Sequence, residues 1–254
     1  MALFSKKRFE NLELKKVLIG LLLVDLAFLL LHLQFFTRYS LGMMFNLEAD
    51  HGYSEWFQYF KEGLICCLLF YVFYRKKSKV FASWAWLVLF LLADDSFRLH
   101  ERSGDLLAPV IPEALANLFH VSPDSLAEVL FFGIAGCTLI APVAFFHLRS
   151  SHQDRRHSLN LLLMLGVLSF FGVFVDLLHM MVAGWGANSV VVKLFGMIED
   201  GGELLAMSVM LWYASVLWNR THKPAICVCL ENDEGLQIPV ELDVNCEDSF
   251  SGIQ

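Results

Sequence analysis

The sequence predicts an all-α, polytopic integral membrane protein: a bundle of about six transmembrane helices with both termini in the cytoplasm. Three observations predict it. Hydrophobic residues fill 57% of the 254 positions and charged residues only 18%, where a soluble domain carries about 25% charged. The apolar residues come in blocks of roughly 20, the length that crosses a hydrocarbon core of about 30 Å. Lysine and arginine gather in alternate loops, as the positive-inside rule requires.

Composition also excludes some functions. A net charge of -7 leaves no basic face to neutralise phosphates, so nucleic acid is not an expected partner. The lipid bilayer is. Cys66, Cys67 and Cys137 sit in apolar runs and Cys227, Cys229 and Cys246 in the C-terminal tail, which makes no disulfide framework.

Taken in order, residues 1–16 form a basic cytoplasmic segment that leads into a first span, Val17–Phe36. That run is longer than the apolar region of a signal peptide and lacks a small-x-small cleavage site, so it is expected to be retained. After a loop over 37–54, Ser54 is the expected N-cap of a second span, Glu55–Tyr74, which Arg75-Lys76-Lys77 ends. The third span runs over Val80–Leu99. Residues 104–124 hold three prolines and a short amphipathic piece suited to the membrane interface. Ser122-Pro123 then opens the fourth span, Leu126–His147, with proline in the first turn. The fifth span is Leu161–Val182, and a Gly-Trp-Gly-Ala-Asn-Ser turn joins it to the sixth, Val190–Trp218. The transmembrane domain is therefore 17–218, followed by an acidic cytoplasmic tail, 219–254. In the tail, Ile226–Leu230 and Leu236–Val244 can pair as a hairpin around Asn232-Asp233-Glu234-Gly235. Multi-pass insertion in the cell membrane follows, which in a bacterium is the inner membrane.

Carboxylates inside such segments are costly, and they mark function unless something pairs with them. At 1.5 Å per residue, Glu62 lies about 10 Å below the outer end of its span and Glu199 to Glu203 roughly 13–20 Å below theirs. Asp94 and Asp95 come about one turn before the outer end of the third span, with His100 and Glu101 just beyond, and Asp176 and His179 fill the last two turns of the fifth. Spans running in opposite directions thus bring their acids to one level. Asp176 and His179 share a helix face at i, i+3, as do Glu199 and Glu203 at i, i+4, with Asp200 alongside. Asp94 and Glu101 are nearly eclipsed with Arg98 between them, and an Asp94–Arg98 pair at i, i+4 is the simplest structural reading there. Asp25 and His32 in the first span read as paired polar residues that stabilise the bundle. Glu128 suits a helix N-terminus simply as an acid and is set outside the layer. Gly201 and Gly202 are expected to let helices approach closely.

The layer sets eight carboxylates against Lys61, Arg98, Arg102 and Lys193, a formal excess of four negative charges with His100 and His179 neutral. Protonation, water or bound cations must relieve it. Carboxylates with a histidine one turn on, drawn from helices of one bundle, is the donor pattern of di-iron and di-manganese proteins, and mixed oxygen and imidazole ligands suit Fe, Mn or Zn. The candidate metal ligands are Glu62, Asp94, Asp95, His100, Glu101, Asp176, His179, Glu199, Asp200 and Glu203.

The stretches EWFQYFKEG (55–63), DDSFRLHE (94–101), FVDLLH (174–179) and IEDGGELLAMS (198–208) resemble a family of bacterial polytopic membrane proteins with no assigned activity. The resemblance covers roughly 50–218 and implies the six-helix fold, not a reaction. Three functions stay open: a metal-dependent membrane enzyme acting on an apolar or lipid substrate, a cation or proton-coupled transporter, and a non-catalytic sensor or assembly factor that meets a cytoplasmic protein through its tail.

Overall fold

The computed structural model describes residues 2–36, 42–49, 51–222, 227–231 and 237–241, with side chains at 13–34, 42–49 and 51–222. The helices are α1 Ala2–His32, α2 Tyr53–Lys76, α3 Lys79–Phe97, α4 Leu99–Leu107, α5 Glu113–Phe119, α6 Pro123–Leu148, α7 His152–Ser169, α8 Asp176–Gly184 and α9 Ser189–His222. A π-helical segment, Phe170–Val175, makes α7 and α8 one continuous rod. In the tail, β1 Cys227–Glu231 pairs antiparallel with β2 Gln237–Glu241, Cys229 opposite Pro239. This is the hairpin expected from the sequence; its turn lies outside the described residues, as do the side chains of the basic N-terminal residues Lys6, Lys7 and Arg8.

Four helical stretches are long and apolar enough to cross a membrane: Lys79–Phe97, Pro123–Leu148, His152–Gly184 and Ser189–His222. Their burial differs sharply. In the most apolar stretch of α9, 61% of residues are buried, against 6% in α6. An apolar helix that buries almost nothing against protein offers its surface to lipid, while α9 is the bundle's central post. The core is built where α2, α3 and α9 meet: Ile65, Leu69 and Val72 pack with Phe81, Trp84 and Val88 and with Met207, Met210 and Leu217. α7 is tied to it by the Trp84 indole, which donates to Ser158 Oγ at 2.9 Å.

Three local expectations give way. The N-cap of α2 is Gly52, not Ser54, and Ser54 lies inside the helix and is buried. The chain already turns at 46–49, Ala49 accepts from the Gly52 N–H at 2.9 Å, and the Glu55 carboxylate reaches back to the His51 N–H. Glu55 thus satisfies a donor ahead of the helix in the manner of a capping box. The third helix stops at Phe97, because Arg98 is left-handed (φ 52°) and its N–H returns to the Asp94 carbonyl. Asp94 and Glu101 therefore do not share one helix face, and Arg98 pairs with Glu101 while Asp94 binds His100. Asp25 meets Lys61 at 3.3 Å, both side chains fully buried, whereas His32 Nδ1 accepts from the Leu47 N–H at 3.2 Å.

Candidate metal centre

At one end of the bundle the chain encloses a cavity of about 520 Å³, walled by the segment before α2, the start of α2, the end of α3, α4, the start of α6, the π segment with α8, and the first half of α9. Helices of opposite direction do bring their acids together here. Asp95, His100, Glu101, Asp176, His179, Glu199, Asp200 and Glu203 all line it. Glu62 and Asp94 do not. Each is at most 1% exposed, set behind the wall.

Asp176, His179 and Glu199 form the tightest group, with one donor atom from each within 4.8 Å of the others. Asp176 and His179 come from adjacent turns of α8, just after the π segment, whose wider turn resets the direction in which later side chains point. Glu199 comes from α9, and its Oε2 is 2.8 Å from His179 Nδ1. The trio is half-buried and opens on the cavity. One imidazole and two carboxylates at this separation are enough to hold a divalent ion and leave further positions for water or substrate.

A second group lies deeper. The Glu62 side chain is fully buried and meets the Asp95 carboxyl group, and no backbone, amide, hydroxyl or ammonium donor reaches its oxygens. Gln58 Nε2 donates to Glu203 Oε2 at 3.3 Å, and the Tyr59 hydroxyl donates to the Asp95 carbonyl at 3.0 Å.

The third group is peripheral. His100 takes Asp94 by two contacts, its backbone N–H to Oδ1 at 2.8 Å and its Nδ1 to Oδ2 at 3.2 Å, while its ring stacks on Phe132 with centroids 5.2 Å apart. Burial works against the imidazolium, but the hydrogen bond and charge of Asp94 outweigh it, aided by Glu128 and Glu101. The His100 pKa is held above its ordinary value. This histidine has a fixed carboxylate partner and stands apart from the trio.

Small residues make these contacts geometrically feasible. A Cβ on Gly172 of the π segment would fall on the Glu203 carboxylate, one on Gly202 would strike the Phe171 ring, and one on Gly201 would come within 2.6 Å of Leu29 Cδ2. The expected close approach at Gly201-Gly202 is therefore to α1 on one side and to the π segment on the other.

Sequence reasoning missed three wall residues. Glu48 precedes α2, and its carboxylate packs with the His179 ring over Gly196; nothing in its loop set it apart. Glu128, assigned only a helix-terminus role, is also on the wall, and the depth argument extended to the first two turns of α6 would have included it. Gln58 lies one turn before Glu62 on α2 and also lines the wall. With these, nine carboxylates line the cavity against Arg98 and two histidines, so the charge problem is larger than the sequence count suggested.

Residues 58–218 match a family model described as a domain of unknown function (DUF8692). No curated protein and no solved structure matches the chain.

Proposed function

The chain belongs to the DUF8692 family, and from the cavity's chemistry we propose that it is a divalent-metal-dependent membrane enzyme with Asp176, His179 and Glu199 as its ligands. The observation that carries this reading is the convergence of those three donors within 4.8 Å on the wall of a cavity large enough for a substrate group. Fe, Mn and Zn suit the ligand set. The ion would polarise a substrate oxygen or activate water, with a neighbouring carboxylate such as Asp200 as general base. Helices whose outer faces are apolar surround the site, which supports an apolar or lipid substrate. This reading takes α1 and α2 as spans beside the four most apolar stretches; the positive-inside rule then supports cytoplasmic termini and a site toward the outer face of the cell membrane.

A carrier built on the same acids is the weaker reading. Beyond Lys61 the bundle interior is filled by Ile65, Leu69, Trp84, Met207 and Met210, all at most 1% exposed. A path for ions needs polar or wet surface at every depth, and the polar groups of this stretch, such as the Trp84 indole with Ser158 and His157 with Tyr213, are buried and already hydrogen-bonded to one another.

Elemental analysis of detergent-purified protein tests the proposal. Wild type is expected to carry at least one equivalent of Fe, Mn or Zn per chain, and the His179→Ala and Glu199→Ala variants to lose it. Metal-free wild type, or metal content indifferent to both substitutions, overturns it.

A further inference from the structure

The cavity wall carries more negative charge than one divalent ion balances. Of its nine carboxylates, Asp176 and Glu199 belong to the trio, and four others are occupied by neighbours. Glu101 pairs with Arg98, Glu55 accepts from the Tyr59 hydroxyl and the His51 N–H, Glu203 accepts from Gln58, and Asp95 meets Glu62. Three remain. Among the described residues, no hydrogen bond or ion pair reaches the carboxylates of Glu48, Glu128 or Asp200.

A second feature, independent of the acids, faces the same space. Ser54 lines the cavity from the first turn of α2 and is 6% exposed, yet its hydroxyl has no hydrogen-bond partner among the described residues. Serine at a helix start ordinarily bonds to nearby backbone, and a buried hydroxyl left without a partner is costly unless water or a ligand meets it. The turn before α2 fixes this arrangement. A Cβ on Gly52 would come within 2.9 Å of the Ala49 carbonyl oxygen, so the chain folds tightly over the helix start and delivers both Glu48 and Ser54 to the wall.

These groups define the chemistry of what they hold. The carboxylates repel an anion, and Arg98, the one lysine or arginine on the wall, is already paired with Glu101. A neutral group leaves Glu48 uncompensated. An ammonium brings a positive charge and three N–H donors, which suit a free hydroxyl oxygen and a carboxylate together. The cavity, at about 520 Å³, is of small-molecule size and has room beyond a single ion. Leu47, Met180 and Leu204 give it an aliphatic wall for methylene groups. Glu55, in the first turn of α2, offsets the positive end of that helix, which otherwise opposes a cation.

We propose that the substrate enters this cavity by a primary ammonium group, held by Ser54 Oγ and the Glu48 carboxylate. This rests on the metal-dependent reading above and names the substrate class, an amine, whether the headgroup of an aminolipid or a soluble polyamine. The anchor adjoins the metal ligands. A Cβ on Gly196 would meet both the Glu48 carboxylate and His179 Cε1, so the atoms next to the bound ammonium lie within reach of the Asp176–His179–Glu199 trio.

The test is calorimetric titration of the detergent-purified full-length protein, with Mn²⁺ present, using diaminobutane and short-chain phosphatidylethanolamine. Each is compared with a counterpart that lacks N–H donors, butanediol and phosphatidylcholine. One of the two amines is expected to bind at least about 10-fold more tightly than its counterpart, the scale of a hydrogen bond to a charged group, and which of them binds distinguishes a soluble from a lipid source. Glu48→Gln and Ser54→Ala are each expected to weaken that binding about 10-fold or more. Circular dichroism and size-exclusion profiles matching wild type keep either variant interpretable if the other misfolds. No preference for an amine, or a preference that both substitutions leave intact, overturns the proposal. Metal that is retained through His179 in a protein that binds neither amine overturns this inference and leaves the metal centre standing. Amine binding by a metal-free wild type that is lost in Glu48→Gln overturns the metal centre and leaves the amine site.

Discussion

His179 Nδ1 and Glu199 Oε2, 2.8 Å apart, join α8 to α9 at the cavity wall. A glycine on the same post leaves the imidazole its room. A Cβ on Gly196 would come 3.2 Å from His179 Cε1 and 2.9 Å from the Glu48 carboxyl carbon. Gly196→Ala is therefore expected to displace both side chains and weaken metal binding about 10-fold or more, the usual effect of disturbing groups that orient a ligand, while the helices persist. Metal titration beside circular dichroism checks it; unchanged affinity would show that Gly196 does not position His179.

The glycine pair one turn on separates two kinds of close approach. An added methyl at Gly202 meets the Phe171 ring, and one at Gly201 meets the tip of Leu29. A flexible leucine end can move aside, but a ring packed against Phe170 with centroids 5.3 Å apart resists. Overpacking costs about 1–3 kcal/mol, and replacing glycine in a helix returns about 1 kcal/mol. Gly202→Ala is expected to lower the unfolding temperature by a few degrees and Gly201→Ala to leave it nearly unchanged. The reverse ranking in a thermal melt in detergent would refute this account.

How far the sequence revealed this arrangement depends on the range of the interactions involved. Carboxylates in apolar runs are visible at once because they break a strong pattern. Alternation of span direction then places Asp95, Asp176 and Glu203 at one end without any coordinates. Pairing is another matter. Asp25 finds Lys61 36 positions away, and nothing in either segment names the other. Arg98 breaks the third helix by adopting a left-handed conformation, which few non-glycine residues do, so the helical spacing that joined Asp94 to Arg98 and Glu101 did not apply. The π segment before Asp176 has no clear sequence signature either. It nevertheless decides where α8 points its ligands.

Lys77 offers a simple test of backbone strain. It is the C-cap of α2 with φ 56°, and its N–H donates to the Phe73 carbonyl at 2.7 Å. Glycine adopts that conformation without the Cβ penalty of about 1–2 kcal/mol. Lys77→Gly gives up the contact between the ammonium and the Tyr74 ring, 4.3 Å from its centroid, worth about 0.5–1 kcal/mol when exposed. A small rise in unfolding temperature is expected, and a fall of several degrees would mean that the side chain matters more than the turn.

Below the cavity floor, the Lys61–Asp25 pair carries the strongest stability prediction. Both side chains are fully buried, and Lys61 also holds the Leu204 carbonyl and the Ser208 hydroxyl of α9. One ammonium therefore ties α1, α2 and α9 together immediately beneath Glu203. Removing it strands Asp25, one of whose oxygens already lacks a partner. Breaking a buried pair from one side costs about 3–5 kcal/mol, whereas replacing both members by apolar residues of similar size is often neutral. Lys61→Met is expected to lower stability by that amount, and Lys61→Met with Asp25→Leu to recover most of it. Denaturant unfolding of detergent-solubilised protein measures both. Should the double variant be as unstable as the single one, the hydrogen bonds to α9, not the charge left on Asp25, hold this part of the bundle together.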